Sequence, residues 1–142
     1  MNKITKAVSR LEPVTVVLVT DQFRCERLIT EGRKIADRCG TTLNVINVAV
    51  SSAERNPQAI EYLYQVSKDN DATMMIHYSH DPVKYISQMF RDSTPANVVT
   101  GMPQANNSML HRLWMRFEQV SFFVVEENGE AAPVTLKDKV TA

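Results

Sequence analysis

Five apolar, β-branched segments alternate with four segments of helical periodicity, and this alternation limits the fold more than any other feature of the sequence. The first segment, PVTVVLVT at 13–20, is a continuous run typical of strands buried on both faces of a parallel sheet. The other predicted strands span residues 41–50, 71–78, 95–101 and 120–127, and the predicted helices span 25–39, 51–70, 80–92 and 106–119. Strict alternation predicts a three-layer α/β fold, an open five-stranded parallel sheet with four helices covering both faces.

Local signals mark where the predicted helices begin and end. Gly40 stands where a glycine in the left-handed conformation commonly ends a helix. Asp81 and Pro82 fit the cap and the first residue of the third helix, and Pro57 fits the first turn of the second. In folds of this kind ligands bind at the carboxyl ends of the strands, where the strand order reverses. The loops at 20–24 and 101–108 are therefore the predicted ligand loops.

Length and composition predict one globular domain, 1–142, with its core at about 13–127. The polar tail at 128–142 is predicted as an exposed arm or a short extra edge element. The 16 Lys and Arg residues are balanced by 16 Asp and Glu, and without a basic excess we expect no nucleic-acid partner. The sequence has no apolar run long enough to span a membrane and no apolar signal segment at its start. We therefore expect no membrane insertion and a cytoplasmic location.

Residues for covalent or metal chemistry are not grouped in any readable motif. Cys25 and Cys39 lie 14 positions apart in one predicted helix, which is too far for a disulfide, and both are predicted as buried apolar residues. Histidines and cysteines do not occur at zinc-binding spacing, and no nucleophile is paired with a base. The sequence thus predicts no catalytic residues, no metal site and no enzymatic activity.

Two long stretches resemble the universal stress protein family. VVLVTDQFRCERLITEGRKIADRCGTTLNVINV is similar to the opening strand, ligand loop, long helix and second strand of that family. VVTGMPQANNSMLHRLWMRFEQVSFFVVEE is similar to its fourth strand, phosphate loop, last helix and last strand. The shorter LVTDQFRCERLI looks closest to the universal-stress-like domain of potassium-sensing histidine kinases of the Kdp type, through Glu26, Arg27, Leu28 and Ile29. The resemblance implies an adenine-nucleotide α-hydrolase-like fold with strand order 3-2-1-4-5.

The resemblance also implies a nucleotide site, in a degenerate form. Members that bind ATP carry a carboxylate after the first strand, where Asp21 stands as a purine contact or a helix cap. They also carry three glycines around the fourth strand's loop; Gly101 matches the first, while Gln104 and Trp114 replace the others. Pro103 removes one backbone N–H donor, so a tight triphosphate cradle is not expected. The implied nucleotide contacts are Thr20, Asp21, Gln22, Val48, Gly101, Met102, Asn106, Asn107 and Ser108. Asn107 and Ser108 are equally suited to cap the last helix.

Two functions remain open on the sequence alone. The first is a stress-protein-like module without catalysis that acts by self-association or partner binding. In that reading the apolar last strand is an edge that pairs across a homodimer axis, through Phe122, Phe123, Val124 and Val125. The alternative is a sensor that binds ATP, AMP or a cyclic dinucleotide between the first and fourth strands. No resident cofactor is expected beyond a weakly bound adenine nucleotide.

Overall fold

The computed structural model describes residues 12–50, 55–102 and 108–135. These residues form four helices: α1 (Glu26–Cys39), α2 (Pro57–Asp69), α3 (Pro82–Asp92) and α4 (Ser108–Arg116). They also form six strands: β1 (Val14–Leu18), β2 (Thr42–Ala49), β3 (Thr73–Tyr78), β4 (Asn97–Gly101), β5 (Ser121–Val125) and β6 (Ala131–Pro133). A single 3₁₀ turn, Phe23–Cys25, leads from the loop after β1 into α1.

The sheet confirms the predicted topology and extends it by one strand. Its order is β3-β2-β1-β4-β5-β6, in which the first five strands are parallel and β6 runs antiparallel to β5. The five predicted strands form the parallel part of the sheet, and the tail adds the short extra edge element that was one of its two predicted forms. A tight turn makes this pairing: the Gly129 N–H donates to the Glu126 carbonyl at 2.9 Å, and Gly129 has a φ of 87°.

Helices cover both faces of the sheet, as the alternation predicts. Neighbouring residues of each central strand point to opposite faces, so Val16 and Val17 enter different halves of the core. One half packs α1 and α2 on the sheet through Leu28, Ile29, Ile35, Ala36, Leu63 and Val66. The other half packs α3 and α4 through Ile86, Phe90, Leu110, Leu113 and Trp114.

The predicted helix ends are confirmed. Gly40 ends α1 with φ at 69°. The Asp81 carboxylate accepts a hydrogen bond from the Lys84 N–H at 3.2 Å, and α3 begins at the next residue. Asn56, which the sequence did not single out, caps α2 by accepting from the Ala59 N–H at 3.2 Å. Since these caps satisfy orphan backbone donors locally, they fix where each helix starts.

The last parallel strand is not a bare edge, and this corrects the premise of the predicted dimer surface. β5 pairs with β4 on one side and β6 on the other. Phe122, Val124 and Val125 are buried in the core of a single chain, and Phe123 packs against it partly buried. These four side chains already have intramolecular partners, so they do not form an open apolar surface. The homodimer itself stays a prediction.

The structure also bears on the predicted burial of the two cysteines and on the expected absence of a membrane-spanning helix. Cys25 is buried as predicted, but Cys39 is exposed, because it lies in the last turn of α1. Over the three described ranges, every helix is too short or too polar to cross a membrane.

Candidate functional site

A cavity of about 470 Å³ opens at the carboxyl ends of β1 and β4. β1 has β2 on one side and β4 on the other, so the order of the chain along the sheet reverses between these two strands. Neighbouring strands diverge at such a point, and ligands of open α/β folds bind there. The volume falls within the range of small-molecule sites, about 300–1,000 Å³.

One side of the cavity is apolar. Leu18 ends β1, and Ile46 and Val48 come from β2. The helices α3 and α4 close this side with Pro82, Ile86 and Leu110. Branched and cyclic side chains on a sheet and two helices form walls suited to a flat, apolar group such as a nucleobase.

The start of α1 contributes the cationic part of the lining. Arg24, in the 3₁₀ turn, and Arg27, in the first turn of α1, both line the cavity. The Arg24 Nε donates to the Gln22 Oε1 at 2.8 Å, which ties this guanidinium to the loop after β1. The Arg27 Nε donates to the Glu126 carbonyl at 3.2 Å, and its Nη1 donates to the Arg24 carbonyl at 3.0 Å. Two guanidinium groups are therefore placed at one end of an otherwise mostly apolar cavity.

Several weaker polar groups lie between the two sides. The Thr20 hydroxyl is 3.4 Å from the Cys25 sulfur, and the Thr100 hydroxyl donates to the Gly101 carbonyl at 3.0 Å. Glu127, which follows β5, contributes a carboxylate to the lining. Hydroxyls at this place can bond to a sugar, while the carboxylate lowers the positive charge next to the arginines.

The structure brings five of the predicted nucleotide contacts together. These residues line the cavity: Thr20, Gln22, Val48, Gly101 and Met102. They come from three separate strand ends, and parallel pairing places those ends at one edge of the sheet. The prediction that the loops after the first and fourth strands share one site with the second strand is thus consistent with the fold.

Asp21 does not line this cavity, and its carboxylate has a partner at the start of another helix. Its carboxylate accepts a hydrogen bond from the Asn56 N–H at 2.6 Å, so it bonds to the residue that caps α2. It does not line the cavity, and α1 has no side-chain cap. Asp21 therefore joins the loop after β1 to the start of α2 and does not cap the first helix. Its predicted contact with a purine stays a prediction.

The buried side-chain amide of Asn47 bonds to the backbone at the start of the loop after β1. Asn47 donates its Nδ2 to the Val19 carbonyl at 2.8 Å and accepts from the Arg55 guanidinium. Arg55 in turn donates to the Tyr78 hydroxyl at 2.7 Å and lies 5.0 Å from the centre of the Tyr78 ring. This chain of contacts holds the end of β1 against β2 and β3, which fixes one wall of the cavity.

The loop after β4 is described only at its two ends. Pro103, Gln104, Asn106 and Asn107 lie outside the described residues, so their predicted roles stay predictions. Ser108 is the first residue of α4. Trp114 is 4% exposed and packs with Phe117 in the core, away from the cavity lining. The side chain that replaces the third glycine therefore serves packing.

Sequence reasoning missed the arginines and most of the apolar walls. Arg24 and Arg27 read as members of the polar face of a helix, although Arg27 also belongs to the match with the Kdp-type domain. The available signal was position: Arg24 is the last residue of the first predicted ligand loop, and Arg27 lies three residues beyond it. No group of metal-binding side chains was found in the part of the chain that the structure describes.

The proteins that resemble this chain were found by comparing structures and not by comparing sequences. Neither a protein-family model nor a curated protein matches the sequence. A universal stress protein from Archaeoglobus fulgidus has a TM-score of 0.50 and 15% identity, over 64% of this chain and 76% of that one. A structure of the universal stress protein from Archaeoglobus fulgidus in complex with dAMP has a TM-score of 0.54 and 12% identity, over 81% of this chain and 96% of that one. This chain therefore has the universal stress protein fold, in the adenine-nucleotide α-hydrolase-like arrangement that the sequence resemblance implies.

Proposed function

We propose that this chain binds a small adenine nucleotide in the cavity between β1 and β4 and acts through binding, without catalysis. The observation that carries the proposal is the cavity itself, with an apolar end, a cationic end and a position at the reversal of strand order. Nucleotides combine an apolar base with an anionic phosphate, so the two ends match the two parts of the ligand.

The apolar end fits the base. Ile46 and Val48 from the sheet and Pro82 and Ile86 from α3 line the cavity together. Burying a flat ring between such side chains contributes free energy in proportion to the apolar area removed from water, about 25 cal/mol per Å². The dAMP bound to the Archaeoglobus fulgidus protein of the same fold supports an adenine mononucleotide as the ligand class.

Binding without catalysis is part of the proposal. The cavity lining holds no histidine, serine or lysine among the described residues, and Cys25 is a buried thiol that contacts the Thr20 hydroxyl. Arginines and threonines can hold and orient a nucleotide, but they do not form a nucleophile–base pair. A cytoplasmic location stays a prediction.

Isothermal titration calorimetry with AMP, dAMP, ATP and cyclic di-AMP tests this proposal. We expect AMP and dAMP to bind, and Val48→Trp to weaken that binding at least 10-fold because the indole fills the apolar end. Met115→Trp is the matched control, since Met115 is 53% exposed on α4 and does not line the cavity. Absence of heat with all four nucleotides up to millimolar concentration would contradict the proposal.

Self-association is a second candidate, and the edge position of β3 in the sheet of the described residues favours it. β3 ends the sheet order, and Ile76 and Tyr78 on this strand are 38% and 53% exposed. The strand carries no charged residue of the kind that protects edges from pairing. Sedimentation of the wild type and of Ile76→Lys tests this: a dimer that the lysine disrupts supports the edge, and a monomer at tens of micromolar contradicts it.

A further inference from the structure

The cationic end of the cavity holds an arginine whose geometry is fixed before any ligand binds. Arg27 is half-buried, and two of its N–H groups are bonded to the carbonyls of Glu126 and Arg24. A guanidinium has five N–H donors, so three remain for a further partner. Because both existing acceptors are neutral backbone oxygens, the positive charge of Arg27 is oriented without being neutralised.

Arg24 lies beside it with a similar arrangement. Its Nε bonds to the neutral amide oxygen of Gln22 at 2.8 Å, which leaves both of its Nη groups for another acceptor. Arg33–Asp37 and Lys34–Glu31 are ion pairs further along α1. Neither cavity arginine is paired with a carboxylate among the described residues.

We propose that Arg27, with Arg24 beside it, binds the phosphate group of the nucleotide and makes the cavity selective for nucleoside monophosphates. The inference rests on the proposed nucleotide site and names the residues that recognise its anionic part. Arginine presents its donors as a planar fork that matches two phosphate oxygens, and such charge-assisted bonds are about twice as strong as neutral ones.

The charges at this end set the preference for one phosphate. Of the described lining residues, Arg24 and Arg27 carry positive charge and Glu127 carries negative charge. A phosphate monoester has a charge of about −1.5 to −2 at pH 7, which two arginines can neutralise. A triphosphate adds further negative charge next to Glu127.

If Arg27 only stabilised the fold, its loss would affect nucleoside and nucleotide binding in a different way. Its bond to the Glu126 carbonyl joins α1 to the end of β5, so its loss could loosen the fold without any effect on phosphate recognition. A structural defect weakens adenosine and AMP equally, whereas a lost phosphate contact weakens only AMP. The ratio of the two dissociation constants therefore separates the two roles.

The experiment is calorimetric titration of adenosine, AMP and ATP into the wild type, Arg24→Ala, Arg27→Ala, Arg27→Lys and Arg38→Ala. Arg38 is the matched control, because it is an exposed arginine of the same helix, eleven positions beyond Arg27 and about 16 Å along the axis. We expect wild-type affinity to follow AMP over ATP over adenosine.

We expect Arg27→Ala to weaken AMP binding about 10- to 100-fold, the loss of a hydrogen bond to a charged group, and to change adenosine binding less than 2-fold. Arg24→Ala follows in the same direction, and Arg38→Ala binds all three ligands like the wild type. Arg27→Lys recovers only part of the loss, since an ammonium cannot bond both carbonyls and the phosphate as the fork does.

The outcomes distinguish this inference from the proposed function. Adenosine and AMP binding equally to the wild type, or Arg27→Ala weakening both to the same extent, would overturn the phosphate assignment and leave the nucleotide site standing. ATP binding more tightly than AMP would overturn the selectivity. No binding of any of the three would overturn the proposed function and this inference with it.

Discussion

Replacing Gly32 by alanine would place a methyl group where the side chain of Val17 already lies. Gly32 is buried on α1, and a Cβ at this position would be 2.5 Å from the Val17 Cγ2 and 3.3 Å from the Leu43 Cδ1. Val17 is 0% exposed, and its branched side chain has few alternative rotamers. The missing side chain of Gly32 thus sets how closely α1 approaches β1, and with it where the first turn of α1 sits above the cavity.

The size of the effect follows from two opposing terms. Overpacking a closed core costs about 1–3 kcal/mol, and the upper part of that range applies because Val17 cannot move away. Alanine is favoured over glycine in a helix interior by about 1 kcal/mol. We therefore expect Gly32→Ala to lower the free energy of unfolding by about 1–2 kcal/mol.

Urea denaturation followed by circular dichroism measures this change. Val17→Ala is the matched partner, since it removes the methyl groups that the new Cβ would meet. Val17→Ala alone is expected to lower the free energy of unfolding by about 2 kcal/mol. The double variant is expected to be no less stable than Val17→Ala, because the new methyl group fills the space that the valine leaves. The two substitutions are therefore coupled by about 1–3 kcal/mol. If Gly32→Ala stabilises the protein, or if the two effects add within about 0.5 kcal/mol, the packing argument is wrong.

Three further predictions concern other contacts. Asp21→Ala is expected to lower the free energy of unfolding by about 1–2 kcal/mol, because it removes the carboxylate bonded to the Asn56 N–H. The dissociation constant for AMP is expected to change less than 3-fold, and a larger loss of affinity would show that Asp21 contacts the ligand. The Tyr62 hydroxyl bonds to the Glu26 carboxylate, which raises the pKa of Tyr62 above its usual 10. The stability from this bond is present below pH 10 and is lost as pH rises through the raised pKa, so Tyr62→Phe should remove a tyrosine that ionises above pH 10 from an absorbance titration; an unchanged titration would contradict the contact. Asp81→Ala is expected to cost about 1 kcal/mol in thermal unfolding as the cap of α3 is lost, and no change would refute the cap.

The parts of this fold that depend on local chemistry could be predicted from the sequence. Gly40, Pro57 and Asp81 act on backbone groups within a few residues, so their helix ends are readable in one dimension. The buried strands are readable for a similar reason, since a strand covered on both faces needs apolar residues at every position. Together with the family resemblance, these signals were enough to place the cavity.

The sixth strand could not be predicted from the pattern of apolar residues. It could be predicted only from the turn that precedes it. Ala131–Pro133 has no strand-like sequence, and it pairs because the chain turns back directly after β5. The preceding Asn128 and Gly129 form a dipeptide typical of hairpin turns, and that was the available indication. Overlooking it made β5 look like an exposed edge and led to a dimer surface built from core residues.

The partners of the charged residues could not be predicted, because they are distant in sequence. Asp21 bonds to Asn56, 35 positions away, and Arg27 bonds to Glu126, 99 positions away. A carboxylate in a ligand loop and an arginine on a polar helix face are each compatible with several roles until the fold sets their neighbours. The structure gives Asp21 a backbone partner at the start of α2 and places Arg24 and Arg27 in the cavity lining.

Nuclear magnetic resonance titration tests the central claim most directly, since it reports where a nucleotide binds. On addition of AMP to the uniformly ¹⁵N-labelled chain, we predict saturable amide shifts at Thr20, Val48 and Gly101, at the ends of β1, β2 and β4. Arg27→Ala should move the same amides at a higher AMP concentration. Saturable shifts confined to the β3 edge, or no shifts at millimolar AMP, would contradict the account.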